Sequence, residues 1–170
     1  NKILNEFSLV LLVRDPLLNM RSFLNRNKDF FLDNSSPDGI NNILQMNSKN
    51  FSKGEFYLWS WSEIFLRYIR MCHSKKVKKS VIIKNDDLRD AAKISKVFDY
   101  LNINYRPIVK INIVNTNIEL GFESTKVKKE DILLMKKFIS RIPSRYLNDL
   151  KYMIDSLHKH EKNFKEEEIA

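Results

Sequence analysis

Two residues in this chain have the types and the spacing to grip one phosphate group: Arg14, directly after the apolar run Phe7 to Val13, and Ser22, eight positions later. An arginine offers a planar fork of donors to phosphate oxygens, and a serine adds a neutral hydroxyl donor. A helix beginning at Pro16 carries Ser22 ~9 Å along its axis, at ~1.5 Å of rise per residue, within reach of a guanidinium arm that folds back. Spacing alone also admits a plainer reading, in which Arg14 pairs with a nearby carboxylate and Ser22 is an ordinary surface residue.

The elements that position this pair follow from the pattern around it. Phe7, Ser8, Leu9, Val10, Leu11, Leu12 and Val13 are apolar on both alternating faces, which predicts a central parallel strand covered by helices on each side. Arg14, Asp15 and Pro16 end the strand. Pro16 suits a first helical turn, where its missing N–H costs nothing, and Leu17, Leu18, Phe23 and Leu24 recur at helical spacing. Open α/β sheets bind ligands at the carboxyl ends of their strands, which is where Arg14 stands.

Further along, Asp33 to Gly54 is rich in Asn, Ser, Gly and Pro and reads as a long surface excursion, with a short helical turn around Ile40 to Met46. Phe56 to Met71 brings Trp59, Trp61, Ile64, Phe65, Tyr68 and Ile69 to one face of an amphipathic helix, with Glu63, Arg67 and Arg70 on the wet side. Lys75, Lys76, Lys78 and Lys79 form a basic turn leading into a short β-branched strand, Ser80 to Lys84. Asn85, Asp86 and Asp87 read as the turn and cap of a helix over Ala91 to Leu101, built on Ile94, Val97, Phe98 and Leu101. Ile108 to Val114 suits an edge strand or extended arm. Asp131 to Ile139 and Ser144 to Lys159 read as helices, and Lys162 to Glu168 as a charged end that frays. The repeated strand-to-helix order predicts a layered α/β fold with a parallel sheet.

At 170 residues, 43% of them hydrophobic, the chain has enough material for one domain with a core and too little for two. Its formal net charge of +9 directs attention to anionic partners: nucleic acid, an anionic membrane surface, or a small molecule bearing phosphate or sulfate. The single cysteine, Cys72, excludes a disulfide framework and a cysteine-rich metal site. His73, His158 and His160 have no companions at ligand spacing, so no metal is expected. No apolar run approaches the ~20 residues of a membrane span. A soluble protein is expected, with the cytoplasm favoured. The chain opens on Asn1 and meets its first strand within a few residues, so residues upstream or a second chain are expected to complete the domain.

Other chemistry-bearing residues have plainer roles. Asp86 and Asp87 fit helix capping better than paired catalytic carboxylates. Trp59, Trp61 and Tyr68 at helical spacing read as core rather than as base-stacking groups, with Tyr57 the more exposed aromatic.

The segment LVLLVRDPLLNMRSFL, Leu9 to Leu24, resembles the 3'-phosphate-binding segment of sulfotransferases: a strand ending in Arg, then Asp or Asn, then Pro, with a Ser eight residues after the Arg. VIIKNDDLRDAAKISKVFDYLNI, Val81 to Ile103, resembles the same family's strand, acidic-acidic-Leu turn and following helix. The resemblance covers about Phe7 to Ile103 and, more loosely, the C-terminal helices. It implies a three-layer, P-loop-NTPase-like sulfotransferase fold, single over residues 1–170, with a core over 7–103 and a helical extension over 104–170. It further implies 3'-phosphoadenosine 5'-phosphosulfate (PAPS) as the sulfuryl donor, Arg14 and Ser22 on its 3'-phosphate, and a hydroxyl or amine acceptor.

The family's Gly-rich P-loop with its Lys, and its catalytic base, have no counterpart before Phe7, so this chain is expected to represent the fold without the strand-helix unit that carries the P-loop. No catalytic residue is identifiable, and the chain alone is not expected to transfer sulfate. Asn85 stands where many members place a Tyr near the nucleotide. The later Arg-Lys-Gly loop is absent, and Lys126, Lys128 and Lys129 after Gly121 and Phe122 read as a solvated face rather than its substitute. Two other functions compete. One is a non-catalytic nucleic-acid-binding module using Lys75 to Lys79, Arg67 and Arg70, whose binding would fall steeply with salt. The other is a sulfotransferase-like fold kept only for interaction.

Overall fold

Phe7 to Val13 carries seven residues of strand-forming character, and it forms β1 over that range in the computed structural model, which describes residues 6–26, 36–104 and 125–169. β1 lies parallel to β2, Val77–Lys84, with Leu9 beside Ser80 and Val13 beside Lys84, and one irregularity of register between Phe7 and Ser8. β2 is three residues longer than the β-branched stretch alone indicates. Of its extra residues, Val77 pairs with Phe7 and Lys79 with Ser8, while Lys78 falls at the register irregularity; β1 offers these partners, which local propensity does not register. A parallel pair requires a long crossover, and residues 14–76 supply it.

The described residues also form five helices: α1 Pro16–Asn25, α2 Lys53–Cys72, α3 Ala91–Leu101, α4 Lys129–Ser140 and α5 Lys151–Ile169. The protein is thus mixed α/β with a two-stranded parallel sheet among the described residues. Ile108 to Val114, Gly121 and Phe122 lie outside them. No described helix is long and apolar enough to cross a membrane.

The chain divides into two compact units. The first comprises Asn1–Arg14 and Tyr68–Asn115, the second Asp15–Arg67 and Thr116–Ala170, and the chain passes between them after Arg14 and within α2.

In the first unit β1 is not a doubly covered strand. Val10 and Leu12 are half exposed, and on β2 Ile82 is exposed, so burial alternates along β1 with period two. An unbroken apolar run states that a strand can be buried on both faces; which face is covered depends on neighbours. α3 presents Ile94, Val97, Phe98 and Leu101 as a half-buried stripe and ends at Asn102, in the left-handed region with φ 58°. The Ile103 N–H donates to the Phe98 carbonyl at 2.9 Å there, and Asn tolerates this conformation better than most residues. The cap of α3 is Asp90, which accepts from Ala92 N–H and Lys93 N–H at 3.0 and 3.1 Å. Asp86 and Asp87 do not cap it, because Asn85–Arg89 first form a 3-10 turn that displaces the helix start. Asp87 pairs instead with Lys93 Nζ. Tyr68 is buried in this unit, as expected of a core aromatic. Burial raises its hydroxyl to about 12, with the neighbouring Cys72 adding to the rise and a hydrogen bond with Ser80 opposing it.

The second unit holds the larger core. Leu17 and Met20 of α1, Leu58 and Trp59 of α2, Met135 and Phe138 of α4, and Leu150, Met153 and Leu157 at and along α5 are buried together with Leu44 from the excursion. Gly54 near the start of α2 permits close approach, since a Cβ there would stand 2.4 Å from Leu134 Cδ2 and 3.2 Å from the Met20 sulfur.

Two expectations for this unit are overturned. Ile40 to Met46 is not helical: the described part of the excursion, 36–52, consists of turns, bends and irregular chain. Glu63 is not on the wet face of α2 but buried, accepting from Ile43 N–H at 3.1 Å and Leu44 N–H at 2.8 Å. These facts share a cause. The backbone donors that a helical turn would use are taken by the Glu63 carboxylate, while the Trp59 indole N–H donates to the Leu44 carbonyl at 2.8 Å. The excursion therefore packs on the side of α2 that its charge pattern marks as outer, and Ile64 is left exposed. Arg67 and Arg70 are exposed as expected.

At the C-terminus, Ser144–Tyr146 forms a separate 3-10 turn and α5 begins only at Lys151. α5 continues through the charged residues 162–168 to Ile169 rather than ending before them.

Candidate functional site

Arg14 follows the last residue of β1 and is exposed, with no hydrogen-bond or ion-pair partner among the described residues of its unit. Ser22 lies in the second half of α1, half-buried. The two residues belong to different units, the first ending at Arg14 and the second beginning at Asp15.

The residue between strand and helix has a larger part than its sequence position suggests. Asp15 is the N-cap of α1, with Pro16 in the first turn as the sequence indicates. One carboxylate oxygen, Oδ1, accepts from Leu17 N–H and Leu18 N–H, both at 3.0 Å. The other, Oδ2, contacts Ser156 Oγ at 2.9 Å and His160 Nε2 at 3.1 Å, both one helical turn apart on α5. Burial pushes the Asp15 carboxyl up, but hydrogen bonds from His160, Leu18 N–H and Ser156 and the attraction of His160 together hold it below its ordinary value. Pro16 has no N–H, Leu17 and Leu18 N–H are engaged by the Asp15 side chain and Asn19 N–H by its carbonyl, so the start of α1 is already satisfied. Anion-binding capacity therefore resides in side chains, not in the helix end.

Three further buried carboxylates are engaged in the same structural manner. Asp131 receives Arg21 through two bonds, one of them Nε to Oδ2 at 2.8 Å, and accepts from Lys128 N–H at 2.8 Å, joining α1 to the start of α4. Glu55 forms a reciprocal cap with Ser52, accepting from its N–H at 2.8 Å while the Ser52 hydroxyl accepts from Glu55 N–H at 3.2 Å. Its other oxygen meets Arg141 at 3.1 Å and Lys137 at 3.2 Å. Burial pushes Glu55 up, and the bonds from Ser52 and Lys137 outweigh it, leaving it below the usual carboxylate range. Glu63, described above, also holds Arg67 Nε. Asp15, Asp131, Glu55 and Glu63 are thus each engaged in holding elements together.

The depressed values carry a stability consequence. Asp15 and Glu55 are lowered by folding, so their contribution is complete above the ordinary carboxylate range and is lost as pH falls through their folded values, beginning below about pH 4. Unfolding free energy is expected to drop steeply there. The double variant Asp15→Asn, Glu55→Gln should show a flatter acid limb in urea titrations; an unchanged slope would remove this assignment.

The aromatic residues behave as structural groups. Tyr57 is half-buried and stacks on Phe23, centroids 5.1 Å apart. Trp61 stacks with both Phe65 and Tyr152, centroids 5.1 and 5.9 Å apart, and these two rings also meet at 6.3 Å. On β2, Lys78 pairs with Glu6, and Lys79 lies over the Tyr100 ring, 5.4 Å from its centroid. Lys75 and Lys76 are exposed.

Ser156 and His160 carry no sequence signal for their role. Asp-Pro ahead of a helix marks Asp15 as a cap, but its second pair of partners lies 141 and 145 residues away. Comparison with known proteins finds no matching family model, no similar curated protein and no similar solved structure.

Proposed function

We propose that this chain belongs to a PAPS-dependent sulfotransferase of P-loop-like fold and supplies the part that binds the donor's 3'-phosphate, through Arg14 and Ser22. The observation that carries the reading is an exposed guanidinium at the carboxyl end of a parallel strand, immediately before a capped helix, in the setting of the Arg-Asp-Pro and Ser pattern. Among the described residues of its unit Arg14 has no ion-pair partner, which favours this over a structural ion pair. The parallel strand β2, its acidic turn and α3 follow in the order the resemblance implies. Transfer would move the sulfuryl group in line from PAPS to a hydroxyl or amine, with positive groups stabilising the leaving phosphate oxygen.

Arg14→Ala is expected to weaken binding of adenosine 3',5'-bisphosphate about 10- to 100-fold by calorimetry, since a hydrogen bond to a charged group contributes about 1.5–3 kcal/mol. Ser22→Ala should cost less. Equal affinity in Arg14→Ala and the native chain would remove the proposal. The competing nucleic-acid reading is weakened by Lys78 and Lys79, which are already engaged. It would be restored by tight, steeply salt-dependent oligonucleotide binding indifferent to Arg14.

A further inference from the structure

The charge of this chain is not shared evenly between its units. The first holds 13 Lys and Arg against 5 Asp and Glu, a net of +8, and the second 17 against 16, a net of +1. At the amino end of the first unit's sheet, three exposed cations have no carboxylate partner among the described residues. They are Arg70 in the last turn of α2, and Lys75 and Lys76 in the turn that leads into β2. The backbone beneath them is fixed. His73 N–H donates to the Arg70 carbonyl at 3.3 Å, Ser74 N–H to that of Met71 at 2.9 Å, Val77 N–H to that of Ser74 at 3.0 Å, and Phe7 N–H of β1 to that of Lys76 at 3.0 Å. A cation in the last turn of a helix complements its dipole, which accounts for Arg70 but not for Lys75 or Lys76, which lie past the helix.

Apolar side chains are exposed at the same end. Met71 follows Arg70 and is 44% exposed, and at the end of α3 Tyr100 and Ile103 are 49% and 47% exposed. Lys79, near the start of β2, brings α3 there, since its Nζ donates to the Tyr100 carbonyl and lies over the Tyr100 ring. Tyr100 also acts electrostatically on the hydroxyl of Tyr68 in the last turns of α2. A nucleic-acid backbone would use the cations but gain little from Met71 and Ile103, and residues 70–76 carry no Phe, Tyr or Trp to stack on a base. An anionic bilayer uses both sets: phosphate and carboxylate headgroups attract Lys and Arg, while aliphatic side chains and the amphipathic Tyr ring settle at the interface.

We infer that this end of the first unit docks on an anionic lipid surface, with Arg70, Lys75 and Lys76 on the headgroups and Met71, Tyr100 and Ile103 at the acyl boundary. The chain lies on the bilayer in this arrangement and does not cross it. Arg14 stands at the carboxyl end of β1, ~20 Å away at ~3.3 Å per residue, so the inference does not rest on the nucleotide proposal.

The test uses the whole 170-residue chain and lipid vesicles, with binding read by co-sedimentation and folding by circular dichroism. Vesicles of phosphatidylcholine containing phosphatidylserine are expected to retain the chain, and vesicles of phosphatidylcholine alone to retain little of it. Each Lys or Arg near an anionic bilayer contributes about fivefold to partitioning, so Lys75→Gln with Lys76→Gln should weaken retention roughly 25-fold. Arg89→Gln with Lys93→Gln removes the same charge beyond the other end of β2 and should cost much less. Met71→Ser and Ile103→Ser should each weaken vesicle binding several-fold and leave oligonucleotide binding unchanged. Equal retention by the two kinds of vesicle overturns the inference, as does an equal loss from the two pairs of charge variants, which would reduce the attraction to net charge. Native vesicle binding in both serine variants, alongside tight duplex binding that is lost in Lys75→Gln with Lys76→Gln, would assign the surface to nucleic acid instead.

Discussion

Asp131→Ala is expected to destabilise the second unit by about 3–5 kcal/mol, the range for removing one partner of a buried ion pair. Asp131 is 2% exposed and accepts two bonds from Arg21 and one from Lys128 N–H. The Arg21 side chain is itself only 14% exposed, so truncating Asp131 strands a guanidinium that water reaches poorly and at the same time removes the cap of α4. Both tryptophans, Trp59 and Trp61, lie in the second unit, so urea unfolding followed by tryptophan fluorescence reports on that unit. Replacing both partners, Arg21→Met with Asp131→Leu, should recover much of the loss, because two apolar side chains leave no buried charge unmatched. A cost below about 1 kcal/mol for Asp131→Ala, the value of an exposed pair, would show that the pair is solvated.

Trp59→Ala should cost a similar amount, about 3–5 kcal/mol for a buried large aromatic, with the Leu44 carbonyl losing its donor besides. Trp59 is 1% exposed and joins α2 to the excursion through that bond. The effect should spread along residues 36–52: amide exchange at Ile43 and Leu44, which donate to Glu63, is expected to accelerate more than exchange in α4 or α5. Trp59→Phe keeps much of the volume and loses the N–H, so it should fall between the native chain and Trp59→Ala. Uniform acceleration across the unit would indicate that Trp59 contributes bulk to the core rather than anchoring the excursion.

The resemblance to sulfotransferases rests on residues close together in sequence, and the structure bears on its parts unequally. β1 and α1 fall at the positions that the Val13 to Pro16 boundary indicates, with the helix capped by Asp15. Strand β2 follows in parallel, as repeated strand-to-helix order predicts. The mixed α/β class and the parallel sheet were therefore readable before any coordinates.

What the residues determined by themselves were features decided within a few positions: the extent of β1, the proline start of α1 and the stripe of α3. Each depends on backbone preference, on period, or on a cap two or three residues away, and these act locally in any context. Tertiary structure alone decided that Glu63 turns inward to hold Ile43 and Leu44, that Val10 and Leu12 stay half exposed, and that Asp15 meets Ser156 and His160. A charged side chain reads as solvated unless a partner is known. Here the partner is a backbone 19 or 20 residues away or a helix 141 residues away, and no local periodicity encodes which distant group will neutralise a buried carboxylate.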